Sequence, residues 1–316
     1  MPLSIRHILM CVGLGLGLSL TGIAYSGQAE GHYREAHHRA ERAARPAHPH
    51  RLLLRSAAAI VQDAETGEVL YDKNADAVTP IASITKLMTA MVVLDAGVDL
   101  NQDVTISSAD KDWLLGTRSR LRPGATLSRK ELLRLALMSS ENRAAAALAR
   151  TTYPGGIEPF LQAMNHKARM LGMNDTHFDD ATGLSSANVS SAEDLVKMVR
   201  AAHRYALIRK FTTTSGHEVQ VAGRSLAYHN TDRLVSNESW NIGLSKTGFT
   251  NDAGHCLVLQ ATLAERQVII VLLDSWGRLS RIGDANRIRA WLEANARSHS
   301  ASAPRAAQES GDREPG

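Results

Sequence analysis

The stretch "TPIASITKLMTA", Thr79–Ala90, decides how the rest of the chain is read. Pro80 ends whatever precedes it. Ser83 stands three residues before Lys86, and Leu87, Met91 and Leu94 then recur at helical spacing. That spacing predicts a helix from Ser83 to Asp95, with Gly97 just past its end. Positions i and i+3 share a helix face, so the hydroxyl and the amine meet at the first turn. A serine becomes a nucleophile when a base takes its proton. Lysine is such a base once burial or a neighbouring cation lowers its pKa. Alone, Ser-x-x-Lys is a weak motif, since a helix cap followed by an exposed lysine has the same letters.

Two further short motifs carry the same kinds of groups. Ser140-Glu141-Asn142 lies in "LMSSENRAAAALA", between two helical stretches and 57 residues after Ser83. A second hydroxyl there can relay a proton, and an amide can hold both a lysine and a substrate carbonyl. Lys246-Thr247-Gly248 lies in "GLSKTGFTNDAGHCLVL", on a strand that turns into the next. A lysine and a hydroxyl suit a substrate carboxylate, and a glycine lets a backbone approach closely. Each motif alone also fits a bland reading, a helix cap or a strand end.

The surrounding pattern is α+β. "AAAIVQDAETGEVLYDKN" reads as two short strands around a turn, with ordered structure starting near Ser56. "SRKELLRLALM" and "IEPFLQAMNHKARMLG" read as helices, the second with Phe160, Met164, Ala168 and Leu171 on one face and Gly172 as its stop. "SSAEDLVKMVRAA" is a further helix, with Ser190 and Glu193 spaced as a capping box. From about residue 217 the runs "HEVQVAG", "NIGLSKTGF", "AGHCLVLQATL" and "RQVIIVLLDS" read as strands, and "GDANRIRAWLEAN" as a closing amphipathic helix.

The flanks read differently. Arg6 and His7 precede an apolar run from Ile8 to about Ala24, with small residues after it. Residues 1–29 are expected to be a signal peptide, which places the protein in the periplasm. Gly13, Gly15 and Gly17 weaken the run as a retained membrane anchor. Residues 30–55 are expected to be a basic, histidine-rich linker, residues 56–296 the folded domain, and residues 297–316 a disordered tail. The last helix is followed only by small, polar and charged residues, with no apolar face to lie on a membrane.

Net charge is +4, but six arginines against three glutamates lie within residues 27–56, and Arg6 adds one more cation. Residues 57–316 are therefore near neutral, and a nucleic-acid partner is not expected. Once a signal peptide is removed, Cys256 is the one cysteine left, so no internal disulfide forms. Its strand-like surroundings make it an apolar filler. His166, His203, His229 and His255 show no metal-ligand spacing.

Taken in order, the three motifs resemble those of the penicillin-recognising serine peptidases and serine β-lactamases. Within that group the sequence is similar to the low-molecular-weight penicillin-binding D-alanyl-D-alanine peptidases, over about residues 56–294. "ASITKLMTAMVVLDAG", "LLRLALMSSENRAAAALA", "MNHKARMLGMNDTHFDDATGL" and "KTGFTNDAGHCLV" all carry the likeness. "SSENRA" and "LLDSWGRLSRIGDANRI" place it with the D,D-endopeptidase branch. The resemblance implies an antiparallel sheet flanked by helices, with a mostly helical subdomain. It implies that Ser83 is the acyl acceptor, Lys86 its base, and Ser140 the relay of a proton to the leaving amine. Asn142 would orient Lys86 and the substrate. Lys246 and Thr247 would bind the terminal carboxylate, beside Gly248. Backbone N–H groups of Ser83 and Phe249 would form the oxyanion hole. Lys246 is expected to help keep Lys86 neutral by like-charge repulsion. The implied partners are peptidoglycan stem peptides and their cross-links, β-lactam antibiotics, and other wall hydrolases. Ser–Lys chemistry requires no metal or cofactor.

Three other readings stand beside this one. A D-alanyl-D-alanine carboxypeptidase would use the same residues. A class A-like β-lactamase needs a glutamate to activate water. Glu158 in "EPFLQ" resembles that motif, but Gln162 ends it, and an acid there suits the first turn of a helix. Glu141 is expected to point away from the site. A non-catalytic wall-binding module would be expected to have lost one of the reactive residues.

Overall fold

A computed structural model describes residues 52–302. The expected signal peptide, almost all of the linker and most of the tail lie outside the described residues. Strands β1 (Ser56–Asp63), β2 (Val69–Lys73), β9 (Asn241–Thr250), β10 (Gly254–Leu263) and β11 (Arg266–Ser275) form one antiparallel sheet in the order β2-β1-β11-β10-β9. The first and last strands thus pair in the sheet, and β9 is left as an edge.

Both faces of the sheet are covered, which explains why β10 and β11 read as unbroken apolar runs instead of alternating ones. Side chains still alternate with period two. Ala59, Val61, Leu257, Leu259, Ile270 and Leu272 pack against Ile288 and Trp291 of α7 (Ser280–Ser302). Ile60, Val258, Ile269, Val271 and Leu273 face the other way, into the core shared with the remaining helices. Asp284 of α7 locks the entry to β1: its carboxylate accepts hydrogen bonds from the Ser56 N–H at 2.7 Å, the Ser56 hydroxyl at 2.6 Å and the Arg55 N–H at 2.9 Å.

The helical part contains α1 (Lys86–Asp95), α2 (Arg129–Met138), α3 (Asn142–Thr152), α4 (Ile157–Met170), α5 (Ala192–Ala202) and α6 (Ala206–Thr212). Helix α1 is its axis. Every residue from Lys86 to Val93 is buried, as a helix apolar on all sides must be. The short strands β3 (Thr79–Pro80) and β6 (Val189–Ser190) pair ahead of this helix and bring the loop before β6 against the nucleophile turn. Strands β4 (Asp103–Thr105) and β5 (Thr126–Ser128) close a long loop, and β7 (Gly216–Val221) and β8 (Arg224–His229) form a hairpin. This is the α+β architecture expected from the sequence.

Three local expectations need correction. Ser83 does not open the α-helix: it sits in a 3-10 turn, Ala82–Thr85, and α1 starts at Lys86. Ala82 there has φ +46, a left-handed backbone that an α-helix excludes. The cap of α5 is Ser191, whose hydroxyl accepts from the Asp194 N–H at 3.2 Å. Ser190 belongs to β6, and its hydroxyl pairs with that of Thr176. The last helix continues past Arg297 to Ser302. Helix α6 and strand β8 carry no strong sequence signal, because α6 has only seven residues and β8 alternates weakly.

Candidate active site

Three elements deliver the motif residues to one place: the 3-10 turn with α1, the α2–α3 junction, and the edge strand β9. Lys86 is 1 % exposed, because it is the first residue of the buried axis helix. Its Nζ donates to Ser83 Oγ at 2.7 Å, to Asn142 Oδ1 at 2.7 Å and to the Thr182 carbonyl at 2.5 Å. Burial pushes the Lys86 amine down from its ordinary value to about 7, while the charges of Asp180 and Glu141 push the other way. The amine is thus partly neutral near pH 7 and holds the Ser83 hydroxyl at hydrogen-bond distance, which is what a general base requires.

Ser140 has φ +60, a strained backbone for a serine, between the end of α2 and the start of α3. Lys246 Nζ donates to Ser140 Oγ at 2.8 Å and to the Thr247 carbonyl at 2.9 Å. Lys246 is as buried as Lys86. Desolvation lowers its pKa well below the usual lysine value, and the nearby Lys86 and Arg281 lower it further. Burial is the largest cause of the low pKa of both amines, and the charge of Lys86 is a further cause on Lys246.

Thr247 donates its hydroxyl to Thr231 at 2.6 Å, and Ser245 donates to Asp232 at 2.6 Å. The loop before β9 thus braces the strand from behind. Arg281 of α7 adds a second brace, donating to the Gly248 carbonyl at 2.7 Å and the Cys256 carbonyl at 3.1 Å. A Cβ on Gly248 would meet the Ile81 carbonyl oxygen at 2.8 Å and Ser83 N at 3.2 Å, so only glycine lets β9 lie this close to the nucleophile turn. Phe249 follows, its ring half-exposed and stacked on His255 at 4.2 Å between centroids. Hydrogen bonds and close backbone approach bring together Ser83, Lys86, Asn142, Ser140, Lys246 and Gly248, with Thr247 and Phe249 beside them on β9.

Several residues the sequence reading did not select also build it. Asp180 accepts five hydrogen bonds: from the N–H groups of Thr182, Gly183 and Leu184, the Thr182 hydroxyl and the Asn188 amide. That carboxylate shapes the loop that presents the Thr182 carbonyl to Lys86. Asn188 also donates to Thr85 Oγ1 in the nucleophile turn. The Asp-x-Thr-Gly letters are an Asx-turn signal that could have flagged this loop. Thr117 accepts from Asn142 Nδ2 at 3.0 Å and so fixes which end of that amide faces Lys86. Arg281 lies 35 residues beyond Lys246 on a different element, and nothing in the local sequence marks it.

The competing glutamates fall into place. Glu158 lies in the first turn of α4, accepts from Gln162 at 3.3 Å and lines an open groove of about 850 Å³ with Leu161, Asn165 and His177. Glu141 is buried and caps α3, accepting from the Arg143 N–H. Its charge raises the Lys86 pKa against the effect of burial. Cys256 is fully buried, and burial pushes its thiol up to about 11, consistent with a filler.

Comparison with known proteins adds independent evidence. The sequence model described as D-alanyl-D-alanine carboxypeptidase, Peptidase S11, matches residues 43–276. The chain is 49% identical over 244 residues to the D-alanyl-D-alanine endopeptidase of Pseudomonas aeruginosa, spanning 76% of this chain and 78% of that one. It is 46% identical over 240 residues to the D-alanyl-D-alanine endopeptidase of Escherichia coli, spanning 75% of this chain and 77% of that one. Among solved structures, it is similar to the Streptomyces K15 DD-transpeptidase, with a TM-score of 0.71 at 30% identity over 77% of this chain and 98% of that one. It is also similar to penicillin-binding protein D2 of Listeria monocytogenes in its ampicillin-bound form, with a TM-score of 0.66 at 29% identity over 77% of this chain and 98% of that one.

Proposed function

Since the chain belongs to the D-alanyl-D-alanine carboxypeptidase family, Peptidase S11, we propose that it is a serine D,D-peptidase of bacterial peptidoglycan that cuts D-alanyl–diaminopimelyl cross-links and is acylated by penicillin. One observation carries the chemistry: a buried lysine amine with its pKa near neutrality hydrogen-bonded to the Ser83 hydroxyl. The endopeptidase preference is supported by the printed names of the two relatives near half identity.

In this reading neutral Lys86 takes the Ser83 proton as Oγ attacks the D-alanyl carbonyl. The tetrahedral oxyanion is held by the backbone N–H groups of Ser83 and Phe249. Protonated Lys86 returns that proton through Ser140, which passes it to the departing amine while Lys246 holds the Ser140 hydroxyl by its hydrogen bond, so Lys86 is neutral again. Water then attacks the acyl-enzyme, and Lys86 serves again as base. Lys246 and Thr247 meet the substrate's terminal carboxylate, and Asn142 holds Lys86 and the substrate amide. A β-lactam enters the same path, but its leaving amine stays tethered. The protein works in the periplasm after export through its N-terminal apolar segment, with residues 30–55 as a linker and other wall hydrolases as companions.

The test is to incubate the purified protein with cross-linked muropeptides and with pentapeptides and to weigh the products. Cleavage of cross-links faster than release of terminal D-alanine is expected. Ready trimming of pentapeptides with dimers left whole would make it a carboxypeptidase on the same Ser–Lys machinery.

A further inference from the structure

Trp113, Leu114 and Leu115 are consecutive, large and apolar, and are 76%, 67% and 53% exposed. Such a run on a folded surface marks a contact site when it is held rigid. It is held rigid here. The Asp112 carboxylate accepts from the N–H groups of Leu114 and Leu115 at 2.9 Å each and of Thr117 at 2.8 Å. Burial alone would raise this carboxyl, but those hydrogen bonds outweigh it and hold it below the usual range. The far limb is pinned by Arg120, which donates to the Ala227 carbonyl and stacks over Tyr228 at 3.8 Å.

The loop is also part of the site's rim. Thr117 accepts from Asn142, and Asn142 accepts from Lys86, so Thr117, two residues after Leu115, lies two hydrogen bonds from the base. Its charge is one-sided. Lys111, Arg118, Arg120 and Arg122 stand against Asp112 alone, and that carboxylate is used inside the loop. Lys111 Nζ lies 5.5 Å from the Trp113 ring centre, so cation and apolar face are presented together.

We propose that this loop is a docking subsite for the second stem peptide of a cross-link, the one that keeps the amine when the bond is cut. The inference rests on the D,D-peptidase reading above. That peptide carries free carboxylates, which Lys111, Arg118 and Arg122 complement, and alanyl methyls and a diamino-acid methylene chain, which lie on Trp113 and Leu114. A penicillin or an uncross-linked pentapeptide has no second stem and leaves the loop empty. The loop therefore favours cross-linked substrate without touching the acylation chemistry.

The test combines Trp113→Ser with Leu114→Ser, two exposed positions where polar residues leave the core intact. Binding is read first in Ser83→Ala protein, with a purified cross-linked tetrapeptide–tetrapeptide dimer and the uncross-linked monomer as probes. The loop change is expected to weaken dimer binding by at least about 10-fold and monomer binding by less than about 2-fold. Raised salt should weaken the dimer alone. In otherwise unaltered protein the same change should lower kcat/KM on the dimer by at least about 10-fold, through KM, with penicillin acylation within about 2-fold. Equal loss for monomer and dimer, no loss for the dimer, or loss of penicillin acylation would each overturn the proposal. So would loop-dependent binding of unaltered protein to anionic phospholipid vesicles without loop-dependent dimer binding. If Ser83→Ala protein binds the dimer through the loop while active protein leaves it uncut, the subsite stands and the endopeptidase reading fails. Cleavage of the dimer that ignores the loop has the opposite meaning.

Discussion

The Cβ that Gly183 lacks would stand 1.9 Å from the carbonyl oxygen of Ala82. Gly248 also approaches the same peptide, its missing Cβ 3.2 Å from Ser83 N. Two glycines thus pack against the nucleophile turn, in which Ala82 is left-handed. Gly183 itself has φ +82. Gly183→Ala should therefore displace the turn and lower penicillin acylation by at least about 100-fold, on the scale set by an angström of misplacement at a reacting group. Stopped-flow labelling measures this, and wild-type acylation by the alanine variant would refute it.

Ser83→Ala should abolish covalent penicillin labelling without unfolding the protein, because one partly buried hydroxyl is the only group removed. Lys86→Ala should slow acylation by at least about 100-fold, the scale of a lost general base. Intact-mass spectrometry after incubation with penicillin reads both. An adduct on Ser83→Ala protein would show that another residue is acylated.

Lys86 is the base only when neutral, and burial lowers its pKa to about 7. Acylation should then rise with pH through an acid limb near that value. Asp180 acts in the opposite direction, its charge favouring the ammonium form. Asp180→Asn removes that charge, so the limb should move to lower pH even as the rate falls from a loosened Thr182 loop. A rate loss with an unmoved limb would assign Asp180 a purely structural part. The profile of kcat/KM against pH separates the two.

The Ser–Lys pair, Ser140, Asn142 and the Lys-Thr-Gly strand were legible because each is a local pattern on a predictable element. The sheet was legible because β10 and β11 are long apolar runs. What stayed hidden depends on distant partners. No spacing in "FDDATGL" says that Asp180 will gather five donors, or that the Thr182 carbonyl will reach Lys86 across 96 residues. The letters around Ser83 have real helix periodicity, but the glycines packed against that turn come from two other segments. The neutrality of Lys86 is legible only in part for a related reason: sequence offers both burial and a neighbouring cation as causes, and which is larger appears only after folding.

Asp284 gives a stability test separate from the site. Its side chain is fully buried and joins α7 to the start of β1 through Ser56 and Arg55. Hydrogen bonds of this kind favour the ionised carboxyl, and its pKa is lowered despite burial. The stability it supplies is present above the ordinary carboxylate range and is lost as pH falls through the folded pKa. Asp284→Ala should cost about 3 kcal/mol at pH 7, the scale of a buried charged network broken on one side. Thermal unfolding should show it as a drop in Tm that narrows in acid. An unchanged Tm at pH 7 would mean the clasp is dispensable.

The division of labour between the two buried lysines is tested by Lys246→Gln. Glutamine keeps a donor for Ser140 Oγ but carries no charge at any pH. Lys246 Nζ now makes that bond at 2.8 Å, with its pKa pushed well below the lysine range, first by burial and then by Lys86. Burial is the largest cause of the low Lys86 pKa, so removing the neighbouring amine should leave the Lys86 acid limb near 7. A charged Lys246 would instead be holding Lys86 down, and its loss would move the limb upward. The rate at the plateau should fall in either case, because the shorter, uncharged glutamine places its donor differently against Ser140 and meets the substrate's carboxylate less well. The limb's position therefore reports on charge and the plateau's height on how Ser140 and the carboxylate are held. A limb moved up by about two units or more, over half of the drop from 10.5 to about 7, would make like-charge repulsion the main cause and overturn the assignment to burial.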